Sequence, residues 1–241
     1  MDDTHHQDEL RARTDALRRW LVEAERRGAT PGLQRLVGLR QWVAQLRRLE
    51  PEARRTVRVA QPTYVWDPED PGVELIRKVR ERGVETSLIT RRTTLDTHPM
   101  LPSVFPTVRI APVFLGLLAL DEEQFMVAGE DTVAGERTAW FSTRRDVGAA
   151  VLDIWRRTWA LSQPVLPPGT PPPLTPRQLR VAEMLAVGEK DQSIAHRLNT
   201  SARTIEREVR VLLRQLGARN RTEAVLLMRG RGVNGGHPDP H

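Results

Sequence analysis

Four arginines recur at helical spacing in the last quarter of the chain: Arg203, Arg207, Arg210 and Arg214. Positions i, i+4, i+7 and i+11 share one face of a helix. Guanidinium groups bind guanine edges and phosphate oxygens, and a helix about 10–12 Å across fits a major groove about 12 Å wide. The spacing therefore favours a helix that binds duplex DNA. A solvent-exposed face that only improves solubility is the alternative that the spacing leaves open.

The net charge of the chain is concentrated in the same region. The 241 residues carry a net charge of +6. Residues 174–233 hold 12 lysines and arginines against 6 acidic residues, whereas residues 1–173 hold 25 against 24. A basic excess confined to one segment indicates that this segment binds a polyanion. Charge alone does not distinguish such a partner from a solvated basic face.

Several other kinds of chemistry find no support in the sequence. There is no cysteine, which excludes disulfides, thiolate metal ligands and cysteine nucleophiles. The glycines at Gly72, Gly83 and Gly116 are isolated, so no glycine-rich phosphate loop is predicted. His5 and His6 lie at the N-terminus, and the other histidines are dispersed. We predict no catalytic residue, no cofactor and no metal site.

The apolar segments are too short to suggest a membrane protein. The longest one, residues 111–120, cannot span a bilayer and is followed by three acidic residues. The first three residues are Met-Asp-Asp, which is unlike a secretory signal. We therefore expect no membrane association and a cytoplasmic location.

The arginine-bearing helix is predicted to belong to a bundle of four short helices. Thr175-Pro176-Arg177-Gln178 has the pattern of a capping box with proline at the first helical position. Glycine and cap residues then divide the segment into helices that begin at Thr175, at about Asp191, at Ser201 and at Asn220, with stops at Gly188 and Gly217. Apolar stripes on these helices predict a compact core.

This C-terminal segment resembles the LuxR/GerE-type helix-turn-helix family. The resemblance rests on residues 174–178, 194–198, 201–209 and 216–225, and it covers about 55 residues almost without gaps. It implies that the helix that starts near Ala202 is the recognition helix. It also implies base contacts by Glu206, Arg207 and Arg210, and phosphate contacts by Arg203, Thr204 and Arg219.

Elementary chemistry extends this list of contacts. Arginine pairs with guanine, and a carboxylate such as that of Glu206 can accept from cytosine N4, so we expect sites that contain G·C pairs. Arg214 and Arg221 are cations beside the same helix, and we add them to the predicted phosphate contacts. Two residues depart from the family pattern. Ser193 replaces an acidic residue, and Glu208 stands where histidine is common.

The region before residue 164 alternates between helical and strand-like patterns. Helices are predicted over residues 8–27, 33–49, 71–83 and 146–161, and strands over 57–64, 84–90, 108–112, 114–120, 124–128 and 138–141. The order indicates an α/β domain with a mixed sheet. The apolar stripes of residues 8–50 suit pairing with a second copy or packing in cis, and both remain open.

Part of this region resembles the phospholipase-D-like sensor domain of TrmB-type regulators. The resemblance runs through residues 71–90, 108–112, 120–121, 125–127 and 153–155 in order. The phospholipase family uses a His-x-Lys-x(4)-Asp motif with histidine as nucleophile. Here Met100 follows His98 where lysine is needed, and no other histidine lies in the domain. The resemblance therefore implies a catalytically silent domain that senses a ligand or organises a dimer.

The sequence thus predicts an α+β protein of two domains. A helical arm (1–50) precedes a mixed α/β sensor-like domain (51–163), a proline-rich linker (164–173), an all-α four-helix domain of the LuxR helix-turn-helix type (174–233) and a disordered tail (234–241).

We interpret the chain as a sequence-specific DNA-binding transcription regulator. Its predicted partners are double-stranded DNA and a second copy of the chain. RNA polymerase and an unidentified small-molecule ligand are further partners compatible with this class. The alternatives are an enzyme, or a scaffold that recruits a protein partner, with an appended DNA-binding domain.

Overall fold

The computed structural model describes residues 3–64 and 66–230, which fold into two compact units. The first unit combines residues 3–62, Pro71–Arg91 and Arg109–Pro164. The second combines residues 63–70 without residue 65, Arg92–Val108 and residues 165–230. The domain limits given above stay predictions. Residues 231–233 and the predicted disordered tail 234–241 lie outside the described residues.

An eight-stranded mixed sheet forms the centre of the first unit. Its strands are β1 (Leu33–Val37), β2 (Thr56–Gln61), β3 (Glu85–Thr90), β4 (Arg109–Ile110), β5 (Leu117–Leu120), β6 (Gln124–Ala128), β7 (Thr138–Ser142) and β8 (Gln163–Pro164). They lie in the order β1-β7-β6-β5-β2-β3-β4-β8. Strands β2, β3 and β4 run parallel to one another, and the other neighbours are antiparallel. The predicted mixed sheet is therefore confirmed.

Ten helices are divided between the two units in the described part of the chain. The first unit contains α1 (Asp3–Arg26), α2 (Gly38–Leu49), α3 (Pro71–Glu81) and α6 (Arg145–Ala160). The second contains α4 (Arg92–Thr97), α5 (Leu101–Val104), α7 (Pro176–Ala186), α8 (Asp191–Arg197), α9 (Ala202–Leu216) and α10 (Arg221–Met228). One turn of 3₁₀ helix (Glu50–Glu52) follows α2.

Alternate side chains of the sheet enter two separate cores. Phe125 and Val127 of β6 pack with apolar residues of α1 and α6. Met126, between them, packs on the opposite face with residues of α2 and α3. Because successive side chains of a strand point to opposite faces, one strand contributes to both cores. Helices therefore cover both faces of the sheet.

The prediction of one helix over residues 33–49 is wrong in its first part. Leu33–Val37 form β1, which pairs antiparallel with β7 at one edge of the sheet. Gly38 follows with φ of 79°, a left-handed conformation that glycine adopts without strain, and α2 then begins. Leu36 is buried at the position that a strand directs inward. The spacing of the leucines in this segment also fits a helix, so hydrophobic periodicity alone assigns Leu33–Val37 to a helix.

The apolar stripe of α1 is used within the chain itself. Leu10, Leu17 and Leu21 are buried in the same core as Val151 and Trp155 of α6. Of the two arrangements left open for residues 8–50, the structure shows packing in cis for this helix. A contact between two copies would therefore have to use other residues.

The buried carboxylate of Asp121 fixes the turn between β5 and β6 to the start of β2. Its two oxygens accept backbone N–H groups of Arg54 at 2.7 Å, Arg55 at 2.8 Å and Thr56 at 2.7 Å. Burial raises the pKa of this carboxyl group, but the three N–H donors outweigh that effect, and the pKa lies below its usual value. Asp121 also has φ of 52°, which aspartate and asparagine tolerate better than most residues.

We predict that Asp121→Asn lowers the free energy of unfolding at pH 7 by about 1–3 kcal/mol, because one buried N–H loses its acceptor. The native pKa is lowered, so this contribution is present above the unfolded-state value near 4 and is lost as the pH falls through the native value. The difference between wild type and variant in urea titrations should therefore shrink below about pH 4. Glu123→Gln is the control, because Glu123 is exposed and makes only a long ion pair with Arg55, at 3.7 Å. A difference that stays constant with pH would contradict this account.

Candidate nucleic-acid interface

The predicted capping box begins the first helix of the C-terminal bundle. The Gln178 N–H donates to Thr175 Oγ1 at 3.2 Å, and the Thr175 N–H donates to Gln178 Oε1 at 2.9 Å. Pro176 occupies the first helical position, where no N–H is needed. The cap prediction is confirmed, and it defines where α7 starts.

Helix α9 has one buried face and one charged face. Ser201 caps it by accepting the Thr204 N–H at 3.2 Å, and Gly217 ends it with φ of 66°. Ile205, Val209 and Leu212 are buried and pack on the neighbouring helices. The core contacts therefore fix which side of α9 meets solvent.

The charged face of α9 brings together the arginines singled out by their spacing. Arg203, Arg207, Arg210 and Arg214 are all exposed, and so is Glu206. Arg210 Nη2 lies 3.8 Å from Glu206 Oε2, one helical turn away. The predicted base-contacting residues thus form one accessible group of mixed charge. Such a group can present both donors and an acceptor to base edges.

Glu208 does not belong to this accessible group. Its carboxylate accepts from Arg177 Nε of α7 at 2.6 Å, and only 14% of its side chain is exposed. An acidic residue here therefore joins α9 to α7 within the bundle. This ion pair explains how the departure from the family pattern at this position fits the fold.

The two predicted phosphate contacts around α10 differ in accessibility. Arg219 is 79% exposed, although its guanidinium and its backbone N–H both bind Glu223 and lower the pKa of that carboxyl group. Arg221 is half-buried, and its guanidinium binds Asp191 Oδ1 and the carbonyl oxygen of Glu189. Arg219 is available to a ligand, whereas Arg221 already holds α10 to α8.

Residues from before the bundle also pack in the second unit, which the sequence did not reveal. The Leu174 N–H donates to the side-chain oxygen of Ser103, which lies within α5, at 3.1 Å. His98 is buried between α4 and α5, and its ring lies against Gly230 after α10. The imidazole Nδ1 lies 2.8 Å from Thr97 Oγ1. The only local signal was the apolar composition of residues 100–105.

Comparison with known families agrees with the geometry. Residues 172–228 match the family described as "Bacterial regulatory proteins, luxR family". The match includes all four helices from α7 to α10. These residues form a LuxR-type helix-turn-helix DNA-binding domain, the kind that transcription regulators carry.

Solved structures give more distant similarities. TrmBL2, described as an archaeal chromatin protein with a novel mode of DNA binding, is 19% identical, with a TM-score of 0.45 over 66% of this chain and 65% of its own. NucT from Helicobacter pylori is 9% identical, with a TM-score of 0.47 over 55% of this chain and 98% of its own. Nuc from Salmonella typhimurium, a phospholipase D family member, is 12% identical, with a TM-score of 0.43 over 56% and 99%.

This chain therefore spans about 65% of the length of TrmBL2. No curated protein matches the chain.

The described residues contain neither a membrane-spanning helix nor a group of side chains suited to a metal ion. Within residues 3–64 and 66–230, no helix combines the length and apolar character needed to cross a membrane. Over the same residues, no three histidine or acidic side chains are grouped in a way that could hold a metal ion.

We predict that Gly230→Ala destabilises the protein more than Gly188→Ala. Both glycines have positive φ, at 73° and 88°, so both variants strain the backbone. At Gly230 a Cβ would also lie 2.3 Å from His98 Nε2, whereas nothing lies within 4 Å at Gly188. The extra overlap should cost about 1–3 kcal/mol in chemical unfolding.

The double variant His98→Ala with Gly230→Ala tests whether the two residues are in contact. It removes the overlapping ring, so the effect of Gly230→Ala should be smaller in the His98→Ala background. Additive effects would show that His98 and Gly230 are not in contact.

Proposed function

We propose that this protein is a sequence-specific transcription regulator that inserts α9 into the major groove of DNA in the cytoplasm. The observation that carries the proposal is the exposed, mixed-charge face of α9, held outward by the burial of its opposite face. Glu206, Arg207 and Arg210 would contact base edges. A pattern of donors and acceptors on a groove-sized helix is what direct readout needs.

The proposed phosphate contacts are residues that lie beside the charged face of α9. Arg203 and Arg214 flank the base-reading group along α9, and Arg219 is exposed just beyond its C-terminal end. Thr204 lies in the first turn of α9, where its hydroxyl is 2.9 Å from Ser201 Oγ. Phosphates bind well at helix N-termini, since unpaired N–H groups and the helix dipole point toward them. Arg221 can join them only by giving up its bonds to α8.

Residues 51–163, which the structure divides between the two units, would serve as a non-catalytic sensor or dimerisation domain of phospholipase-D-like type. His98 is the only histidine between residues 51 and 163, and it is 3% exposed. A nucleophile has to reach its substrate, and the lysine of the phospholipase motif is replaced by Met100. These two observations support a protein that is not an enzyme.

Arg207→Ala and Arg210→Ala should each weaken binding to the specific operator by about 1–3 kcal/mol and change binding to random duplex little. The reason is that base contacts discriminate between sequences whereas phosphate contacts do not. Genome-wide footprinting would first identify the operator, and fluorescence titrations on operator and random duplexes would then measure both affinities.

Arg180→Ala is the matched control, because Arg180 is an exposed arginine of α7 and does not belong to α9. It removes the same charge and should leave the ratio of specific to random affinity unchanged. Equal losses on both duplexes for Arg207→Ala and Arg210→Ala would reduce these residues to phosphate contacts.

We also expect the protein to bind as a homodimer to a repeat whose half-sites are about 10 base pairs apart. One small helical domain buries too little surface for tight specific binding by itself. Sedimentation velocity with and without operator DNA, together with the footprint length, tests this. A monomer that protects a single half-site with full affinity would rule out the dimer.

A further inference from the structure

Three arginines of the first unit converge on the short loop that contains Val113 and Phe114. Arg91 Nε donates to the Val113 carbonyl at 2.7 Å. Arg18 Nη2 donates to the Phe114 carbonyl at 3.5 Å, and the Arg11 guanidinium lies 4.4 Å from the centre of the Phe114 ring. Arg11 and Arg18 are seven residues apart on α1, so they share one face of that helix.

The charge of this arginine cluster (Arg11, Arg18 and Arg91) is compensated only in part, by Asp15, which lies one helical turn from Arg11 and from Arg18 on α1. Among residues 3–64 and 66–230, no carboxylate forms an ion pair with Arg11 or Arg91. Arg18 has one long contact, from Nη1 to Asp15 Oδ1 at 3.9 Å. Its Nε is buried and has no hydrogen-bond partner in the described part of the chain. Elsewhere in the first unit arginines are commonly paired, as Arg13 and Arg157 are with Glu9.

Arg18 and Arg91 are half-buried, whereas Arg11 is exposed. Like charges held close together raise the free energy of the empty cluster. Burial lowers the pKa of Arg91, and the positive charge of Arg11 lowers it further. A guanidinium nevertheless stays protonated at physiological pH, so proton loss cannot relieve the repulsion. A bound anion can relieve it.

The position of the cluster in the fold also favours a ligand. Arg91 directly follows Thr90, the last residue of β3, and β3 is parallel to β2 and β4. The Val113–Phe114 loop follows β4 by a few residues. Open sheets with parallel strands bind ligands at the carboxyl ends of those strands, where the connecting loops present their side chains.

We propose that the arginine cluster binds the phosphate or carboxylate group of a small molecule, and that this site is where the first unit senses its signal. Arg91 uses Nε for the Val113 carbonyl and keeps its terminal N–H groups for the anion. Guanidinium groups bind oxyanions with two parallel hydrogen bonds, which gives both strength and orientation. The sensing role extends the proposed function, whereas the anion site depends only on the geometry of the first unit.

The test uses the full chain without DNA. Inorganic phosphate and acetate are titrated in turn, at ionic strength held constant with sodium chloride, and binding is followed by calorimetry and by the shift in Tm. We expect at least one of the two oxyanions to raise Tm where chloride does not. Arg11→Gln should weaken that binding by about tenfold or more, because a charged donor is lost. Arg91→Gln should do the same.

Arg19→Gln is the matched control, since Arg19 is an exposed arginine of the same helix. It should leave anion binding unchanged. The Tm of Arg11→Gln without anion should equal or exceed that of wild type, because removing one charge relieves repulsion. This last readout separates loss of the site from loss of the fold.

Three results would overturn the proposal. The first is stabilisation by phosphate and acetate that is equal in wild type and Arg11→Gln, and the second is no stabilisation by either anion. The third is a loss of DNA affinity with a smaller salt slope in Arg11→Gln, which would assign the cluster to the DNA backbone. None of these results would alter the outcome for Arg207 and Arg210, so the two proposals fail separately.

Discussion

The C-terminal helix bundle depends on the division of α9 into one buried and one charged face. Burial of Ile205, Val209 and Leu212 leaves one orientation in which the helix can pack, and that orientation turns the arginines outward. The caps at Ser201 and Gly217 set where the helix begins and ends. Apolar burial supplies the stabilising free energy, and the charged residues are positioned as a consequence. A residue that disturbed the buried face would therefore misplace the DNA-binding face without touching it.

Carboxylates determine how the arginines around this helix are used. Glu208 and Glu223 bind arginines within the bundle, whereas Glu206 lies among the arginines that face solvent. Internal ion pairs restrict side chains that would otherwise move freely. A face that contains both signs of charge binds DNA less strongly through simple attraction and more selectively through matched donors and acceptors. In the proposed complex with DNA, the mixed charge of α9 would therefore favour discrimination between sequences over maximum electrostatic affinity.

Local chemistry decided which parts of the fold the sequence could predict. The capping box at Thr175 and the apolar stripe of α9 involve residues within a turn or two of each other, and both were predicted. The strand Leu33–Val37 was missed because its pairing with β7 joins residues about a hundred positions apart, and its leucine spacing also fits a helix. The contact of His98 with Gly230 and the arginine cluster around Phe114 are equally non-local. Spacing along the chain relates Arg11 to Arg18 on α1, but it carries no information about their contact with Phe114 or about the contact of His98 with Gly230.

The interleaving of the two units has a consequence for synthesis. Residues 63–70 and 92–108 belong to the second unit, but most of that unit is made last. Trp66, Leu101 and Val104 are buried there, and on the ribosome they emerge about 70 to 160 residues before the helices of the bundle that complete their unit. At about 5–20 residues per second, that leaves apolar side chains uncovered for several seconds to about half a minute. Chaperones bind exposed apolar side chains, so we expect them to bind the nascent chain until α10 has left the ribosome.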